Sequence, residues 1–193
     1  MRLVIADPPY PPFVGVGGRK NRSSRWYGAG QRSQKDAPSD HHPEAAEWDS
    51  PARHRRLLED LCSQADGWAI ATSADGIAAY GTLPLPCRVM VWVKPDAQPG
   101  SHRILSTWEA VIIFPPEGRR SNRSGRGAVK DHLVARVPRG FIGRKPPEWV
   151  EWVLEALSFD PADEVVDLFP GSGAVTEAIC AYRTRCLVER KDP

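Results

Sequence analysis

The segment Glu164-Val165-Val166-Asp167-Leu168-Phe169-Pro170-Gly171-Ser172-Gly173-Ala174 constrains this chain most, because an apolar run stops at a Pro-Gly-Ser-Gly turn and passes straight into helix-forming residues. Read as strand, tight turn and helix, it places free backbone amides just beyond a strand end. Further apolar runs at 2–6, 68–72, 89–94 and 108–114 read as strands, with a short one over 132–137. Between them lie a helix from the Ser50-Pro51 start to about Ser63, a short one near Asp75 to Tyr80, and one opened by Pro146-Pro147. Helix 174–182 and a strand over 185–189 ending in Glu189 close the pattern. Alternating strands and helices predict an α/β domain with a doubly wound, mostly parallel sheet. At 193 residues and 41% hydrophobic content a single domain, 1–193, accounts for the chain.

Several classes are excluded by what these residues do not contain. The longest apolar stretches, Val89 to Val93 and Val111 to Phe114, are far too short to span a bilayer, and the N-terminus starts inside a strand pattern without a secretory signal. The expected location is the cytoplasm, with no membrane partner. The four cysteines, Cys62, Cys87, Cys180 and Cys186, form no C-x-x-C pair, and the histidines, including His41-His42, lack ligand spacing, so no metal site is expected.

The net charge of +2 conceals an uneven distribution. Arg19, Lys20, Arg22, Arg25, Arg32 and Lys35 fall in the long Gly-, Pro- and Ser-rich loop 11–50. Arg119, Arg120, Arg123, Arg126, Lys130, Arg136 and Arg139 fall near or within a second loop, 115–140. Two arginine-rich loops are what a grip on a phosphate backbone requires; a pair of solvated loops has the same composition.

Between those loops and the first strand stands Asp7-Pro8-Pro9-Tyr10. The prolines end the strand and fix two acceptors in advance, the Asp7 carboxylate and the Pro8 carbonyl, while Tyr10 offers a face on which a base can stack. An exocyclic amino nitrogen is a poor nucleophile because its lone pair is delocalised into the ring. Two acceptors on its hydrogens draw that pair out of conjugation. At the other end, Gly171 and Gly173 allow a ligand to approach the backbone, and an acid at Glu189, about twenty residues on, is where ribose hydroxyls are bound in nucleotide-binding βαβ units. Thr176 occupies the position of the third glycine in the dinucleotide fingerprint, which disfavours NAD.

In this order the motifs resemble the amino-methyltransferases of DNA, the N6-adenine and N4-cytosine enzymes, in their circularly permuted β-class arrangement with the catalytic motif ahead of the cofactor motif. Asp7-Pro8-Pro9-Tyr10 matches the catalytic motif, Val91-Trp92-Val93-Lys94-Pro95 and Trp108-Glu109-Ala110-Val111-Ile112-Ile113-Phe114 match later strands of the catalytic half, and Arg144-Lys145-Pro146 leads into the F-x-G-x-G cofactor motif. The resemblance covers nearly the whole chain. It implies a Rossmann-like fold, S-adenosyl-L-methionine as cofactor and DNA as substrate, with the aspartate form of the motif favouring adenine. It also assigns Phe169 to the cofactor's adenosine, Asp167 and the turn Pro170-Gly171-Ser172-Gly173 to its methionine side, Glu189 to its ribose and Lys145 to the cofactor region. Family members usually continue past the strand that ends at Glu189, so the sheet is expected to lack a strand there. The 115–140 segment is short for a base-reading module, leaving recognition loose, shared with loop 11–50, or supplied by a second subunit in a homodimer.

Other readings stay open at this level. The messenger-RNA adenosine N6-methyltransferases have a similar catalytic motif, Trp-Glu strand and Lys-Pro segment, but usually end the motif in tryptophan and lack a full G-x-G turn. N4-cytosine methylation would use the same fold. Pro86-Cys87 has the dipeptide of C5-cytosine chemistry without its surroundings. A nucleic-acid-binding protein that has lost catalysis is the reading from another class.

Overall fold

A computed structural model describes residues 1–11, 13–14, 20–21, 42, 44–97, 104–121, 127–139 and 143–190. Arg19, Arg22, Arg25, Arg123 and Arg126, together with most of loop 11–50, lie outside the described residues, and of Lys20 only the backbone is described. The elements are β1 (Arg2–Ala6), β2 (Phe13–Val14), β3 (Lys20–Asn21), α1 (Pro51–Gln64), β4 (Gly67–Ser73), β5 (Arg88–Val93), β6 (Trp108–Phe114), β7 (His132–Val134), α2 (Pro147–Ala156), β8 (Glu164–Asp167) and α3 (Ala174–Glu189). Short 3-10 turns stand at Glu47–Asp49, Asp75–Tyr80 and Glu117–Arg119.

Six strands form one sheet in the order β7-β5-β6-β4-β1-β8, while β2 and β3 pair separately. β1 runs parallel to both β4 and β8, and β5 parallel to β7; β6 runs antiparallel to its neighbours β4 and β5. The chain is therefore an α/β protein with a mostly parallel mixed sheet, an architecture compatible with a Rossmann-like fold. β1 and β4 are buried along almost their whole length, and their sequences accordingly read as continuous apolar runs.

Helices cover both faces. On one face Trp149, Val150, Val153 and Leu154 of α2 and Val175, Ala178 and Ile179 of α3 pack against Leu3, Ile5, Ala69, Val111 and Ile113. On the other, Leu57, Leu58 and Leu61 of α1 pack with Trp48 and Tyr80 on Val4, Ala6, Trp68, Ile70 and Ile112. Alternate residues of β1 thus enter opposite cores, the period-two signature of a strand buried on both sides. Each such aliphatic side chain contributes roughly 1.5–3 kcal/mol by burial.

One sequence expectation fails at the C-terminus. Residues 185–189 are not a strand: α3 runs unbroken from Ala174 to Glu189. No Gly, Pro or Asn separates Tyr182 from Arg185 to stop the helix. Its second half is held by Arg185 on Glu151 at 2.7 Å, by Arg190 on Asp160 at 2.6 Å just past the end, and by the Thr184 hydroxyl on the Cys180 carbonyl at 2.9 Å. Among the described residues β8 consequently forms the sheet edge.

Candidate active site

Strand polarity decides where the site lies. β1, β4 and β8 end at the same edge of the sheet, and because β6 runs the other way its N-terminal residues lie at that edge too, Glu109 standing opposite Ser73. Carboxyl ends of parallel strands are where open α/β sheets hold ligands. A cavity of about 1130 Å³ opens there, slightly larger than the usual small-molecule site. Asp7, Pro8, Pro9 and Tyr10 line it from the end of β1, and Phe169, Pro170, Gly171 and Ser172 from the end of β8. Lys94, Glu109 and Lys145 complete its charged wall.

The charged wall is a connected network. Lys145, whose side chain is only 3% exposed, donates to Asp7 Oδ2 at 2.6 Å and to the Gly143 carbonyl at 3.3 Å, and lies 3.8 Å from Glu109 Oε2. Tyr10 donates its hydroxyl to Glu109 Oε2 at 2.6 Å, and Lys94 donates to Oε1 at 2.7 Å. Burial raises the Asp7 carboxyl above its ordinary range; Lys145 pulls it back, while Glu109 and Asp167 add like-charge repulsion. Burial acts on Glu109 in the same upward sense, but Lys145, Lys94 and the Tyr10 hydroxyl outweigh it and hold this carboxyl below its usual value. Glu109 is therefore the firm anion of the pair, and Asp7 the more basic carboxylate.

The glycine turn is shaped as the sequence requires. Gly171 and Gly173 have φ of 46° and 80°, the region that favours glycine, and the Gly173 amide donates to the Pro170 carbonyl at 2.6 Å. A Cβ at Gly173 would meet nothing within 4 Å, so conformation rather than crowding demands glycine, and the space above the turn is open. Asp167 braces this turn from behind: Oδ2 accepts the Thr176 hydroxyl at 2.7 Å, tying the end of β8 to the first turn of α3, and Asp167 itself is outside the cavity lining. Burial lifts the Asp167 carboxyl above its ordinary range, against the Thr176 hydroxyl and the backbone amides of Phe169 and Thr176, which pull it back. Phe169 meets Trp48 edge to face at 5.1 Å between ring centroids and lies 6.0 Å from His42, forming an aromatic wall.

Several expectations change here. Glu189 is exposed on the last turn of α3 and does not line the cavity, because the strand that was to carry it is helical. Lys145, expected in the cofactor region, lines the cavity and pairs with Asp7. Arg119 and Arg120 follow the C-terminal end of β6, at the sheet edge opposite the cavity, since Phe114 stands beside Trp68 at the start of β4. Arg119 makes a bidentate pair with buried Asp163 (2.5 and 3.0 Å) and donates to the Ser158 carbonyl, whereas Arg120 is exposed, lying over the Phe114 ring and donating to the Pro115 carbonyl. Arg119 ties the base of the sheet to the loop before β8, and neither arginine lines the cavity.

Glu109 is the residue that site reasoning from sequence passed over, and Lys94 reads in the sequence either as a lysine closing over the catalytic pocket or as a solvated strand end. The signal available was their place at the ends of two adjacent strands; without the antiparallel direction of β6, Glu109 could have fallen at either edge. Among the described residues no cluster of metal-ligating side chains occurs, and no helix is long and apolar enough to cross a membrane. No family model matches the chain, and no curated protein is significantly similar to it.

Proposed function

We propose that this protein is an S-adenosylmethionine-dependent amino-methyltransferase that methylates the exocyclic N6 of adenine in DNA. The observation that carries the reading is a single cavity in which the rigid Asp7-Pro8-Pro9-Tyr10 end of β1 faces the glycine turn at the end of β8. The volume accommodates a nucleoside cofactor beside a base that has left its stack.

The residues fit a methionine-bearing nucleoside in part. The open glycine turn, the N-terminus of the sixteen-residue α3 and the Phe169 wall suit it, whereas the expected ribose acceptor at Glu189 is elsewhere; the acids that do line the cavity near α1 are Glu44 and Asp60. Bound there, S-adenosylmethionine supplies an electrophilic methyl group on a sulfonium sulfur, which keeps the carbon–sulfur electron pair as the bond to nitrogen forms. The chain's own residues do the rest. Lys145 occupies Asp7 Oδ2, leaving Oδ1 to accept one amino hydrogen while the Pro8 carbonyl accepts the other. This localises the nitrogen lone pair for in-line attack, and the surplus amino proton passes to the Asp7 carboxylate, whose raised basicity suits it to receive one. Tyr10 stacks on the base.

Incubating purified protein with methyl-labelled S-adenosylmethionine and either unmethylated genomic DNA or total RNA, followed by nucleoside mass spectrometry, tests this. N6-methyladenine in DNA is the expected product. N4-methylcytosine would overturn the base assignment, label in RNA alone would move the substrate to RNA, and cofactor binding without transfer to either would favour a non-catalytic binding protein.

A further inference from the structure

Tyr10 is the fourth residue of the base-holding motif, yet nothing in the motif itself fixes its ring. The structure supplies that restraint from another strand. The Tyr10 hydroxyl donates to Glu109 Oε2 at 2.6 Å, a short charge-assisted bond. The other oxygen of Glu109 is held by Lys94 at 2.7 Å, and Lys145 stands 3.8 Å from Oε2 with its ammonium 5.4 Å from the centre of the Tyr10 ring. Glu109 and Lys94 side chains are 18% and 15% exposed, so neither is a freely solvated surface charge.

We propose that Glu109 is the positioning residue of the base slot: it locks the Tyr10 ring in its stacking orientation, and Lys94 locks Glu109. This rests on the amino-methyltransferase reading for its catalytic consequence, but not for the restraint on the ring. The four charged groups Asp7, Glu109, Lys94 and Lys145 balance to zero, so the network offers no spare positive charge for a phosphate, and each carboxylate has a lysine of its own. The arrangement orients groups rather than attracting a ligand. A ring without a hydroxyl at position 10 would lose its anchor, and an alanine at 109 would leave the hydroxyl without its acceptor.

Two measurements test it. With 3-fluorotyrosine at the four tyrosines, the Tyr10 ¹⁹F resonance is assigned by its disappearance in Tyr10→Phe. Glu109→Ala is expected to shift and narrow that resonance as the ring gains freedom, with the Tyr80 and Tyr182 signals unmoved, and Lys94→Met to shift it less in the same sense. An unmoved Tyr10 signal in both variants overturns the proposal, whether or not the protein transfers methyl groups. In the activity arm, Tyr10→Phe and Glu109→Ala each lower kcat/KM on adenine-containing DNA by about 10- to 150-fold, the worth of one hydrogen bond to a charged group, and the double variant loses no more than either single one. Losses that multiply would show Glu109 acting independently of Tyr10 and would also overturn it. If no variant and no wild-type protein transfers methyl groups, the functional reading fails while the resonance arm still decides the positioning role.

Discussion

Asp7 and Glu109 lie in one cavity and share Lys145, which favours the ionised form of both, yet their remaining neighbours leave Asp7 above and Glu109 below the ordinary carboxyl value. Glu109 has two ammonium groups and a phenol on its oxygens and stays ionised; Asp7 has one ammonium, a like charge nearby and burial against it. Pairs of titratable groups whose environments push them apart mark acid and base roles. The division assigns proton acceptance to Asp7 and orientation to Glu109. Replacing Asp7 by Ala removes the acceptor that localises the amine's lone pair, and the expected cost is about 100- to 1000-fold in kcat, the size seen when one preorganised hydrogen-bonding group is lost from a transition state. Cofactor affinity, measured by calorimetry on the same variant, is expected to stay within about 3-fold, since the glycine turn does not touch Asp7. A parallel loss of cofactor binding would instead place Asp7 in a structural role.

At the scale of elements, the loops and turns that tie the layers together carry more of the stability than their exposure suggests. The 3-10 turn holding Arg119 is bound to the loop before β8 through Asp163, only 2% exposed in its side chain, and breaking a pair with one deeply buried partner costs about 1–3 kcal/mol at a site where Arg119 itself is partly solvated. Arg119→Ala should therefore lower the melting temperature while leaving the salt dependence of nucleic-acid binding unchanged; a residue that contacted phosphate would reduce that slope by about one. His54 links α1 to the turn before it, its Nε2 lying 2.9 Å from the Trp48 carbonyl and its Nδ1 3.3 Å from the Tyr80 hydroxyl. Burial pushes this imidazole below its ordinary value, against the Trp48 hydrogen bond. The unfolded chain then takes up the proton first as pH falls through about 6.5, so this group's contribution is complete above that pH and is lost below it, by at most about 1.4 kcal/mol per pH unit. Melting curves between pH 7.5 and 5.5 should show that loss in the parent and a flatter dependence in His54→Phe. Legibility follows the same divide between local and nonlocal information. β1, β4 and β6 are legible because largely buried strands are short unbroken apolar runs, β5 because its Val- and Trp-rich run suits a half-buried strand, and the Pro8-Pro9 and Gly171-Ser172-Gly173 punctuation marks the ends of β1 and β8 from neighbouring residues alone. The strand read at 185–189 failed because Cys186-Leu187-Val188 suits either period, and ion pairs from Glu151 and Asp160, distant in sequence, favour the helix. The engagement of Arg119 was invisible for the same reason: its partner is Asp163, forty-four residues away.

On the scale of the whole molecule, the antiparallel direction of β6 is what turns a sheet edge into a site with its own charge network. A fully parallel sheet would bring only strand ends to the cavity; β6 brings a strand start, and with it Glu109 from a position where the chain has just entered the sheet. The turn after β8 and the 3-10 turn carrying Trp48 both line the cavity and meet through Phe169 and Trp48. A ligand bridging them binds the folded state alone and stabilises it by mass action. At a hundred times its dissociation constant S-adenosylmethionine, or its non-transferring analogue sinefungin, should add about 2.7 kcal/mol, which for a chain of this length raises the melting temperature by roughly 5–10 °C. Thermal melts with and without sinefungin check this without any substrate. In Gly173→Val, where a β-branched side chain must adopt φ near 80°, the rise should vanish together with part of the basal stability. A rise that survives in Gly173→Val would move the cofactor away from the glycine turn, and equal melts with and without sinefungin in the parent would remove the cofactor reading altogether.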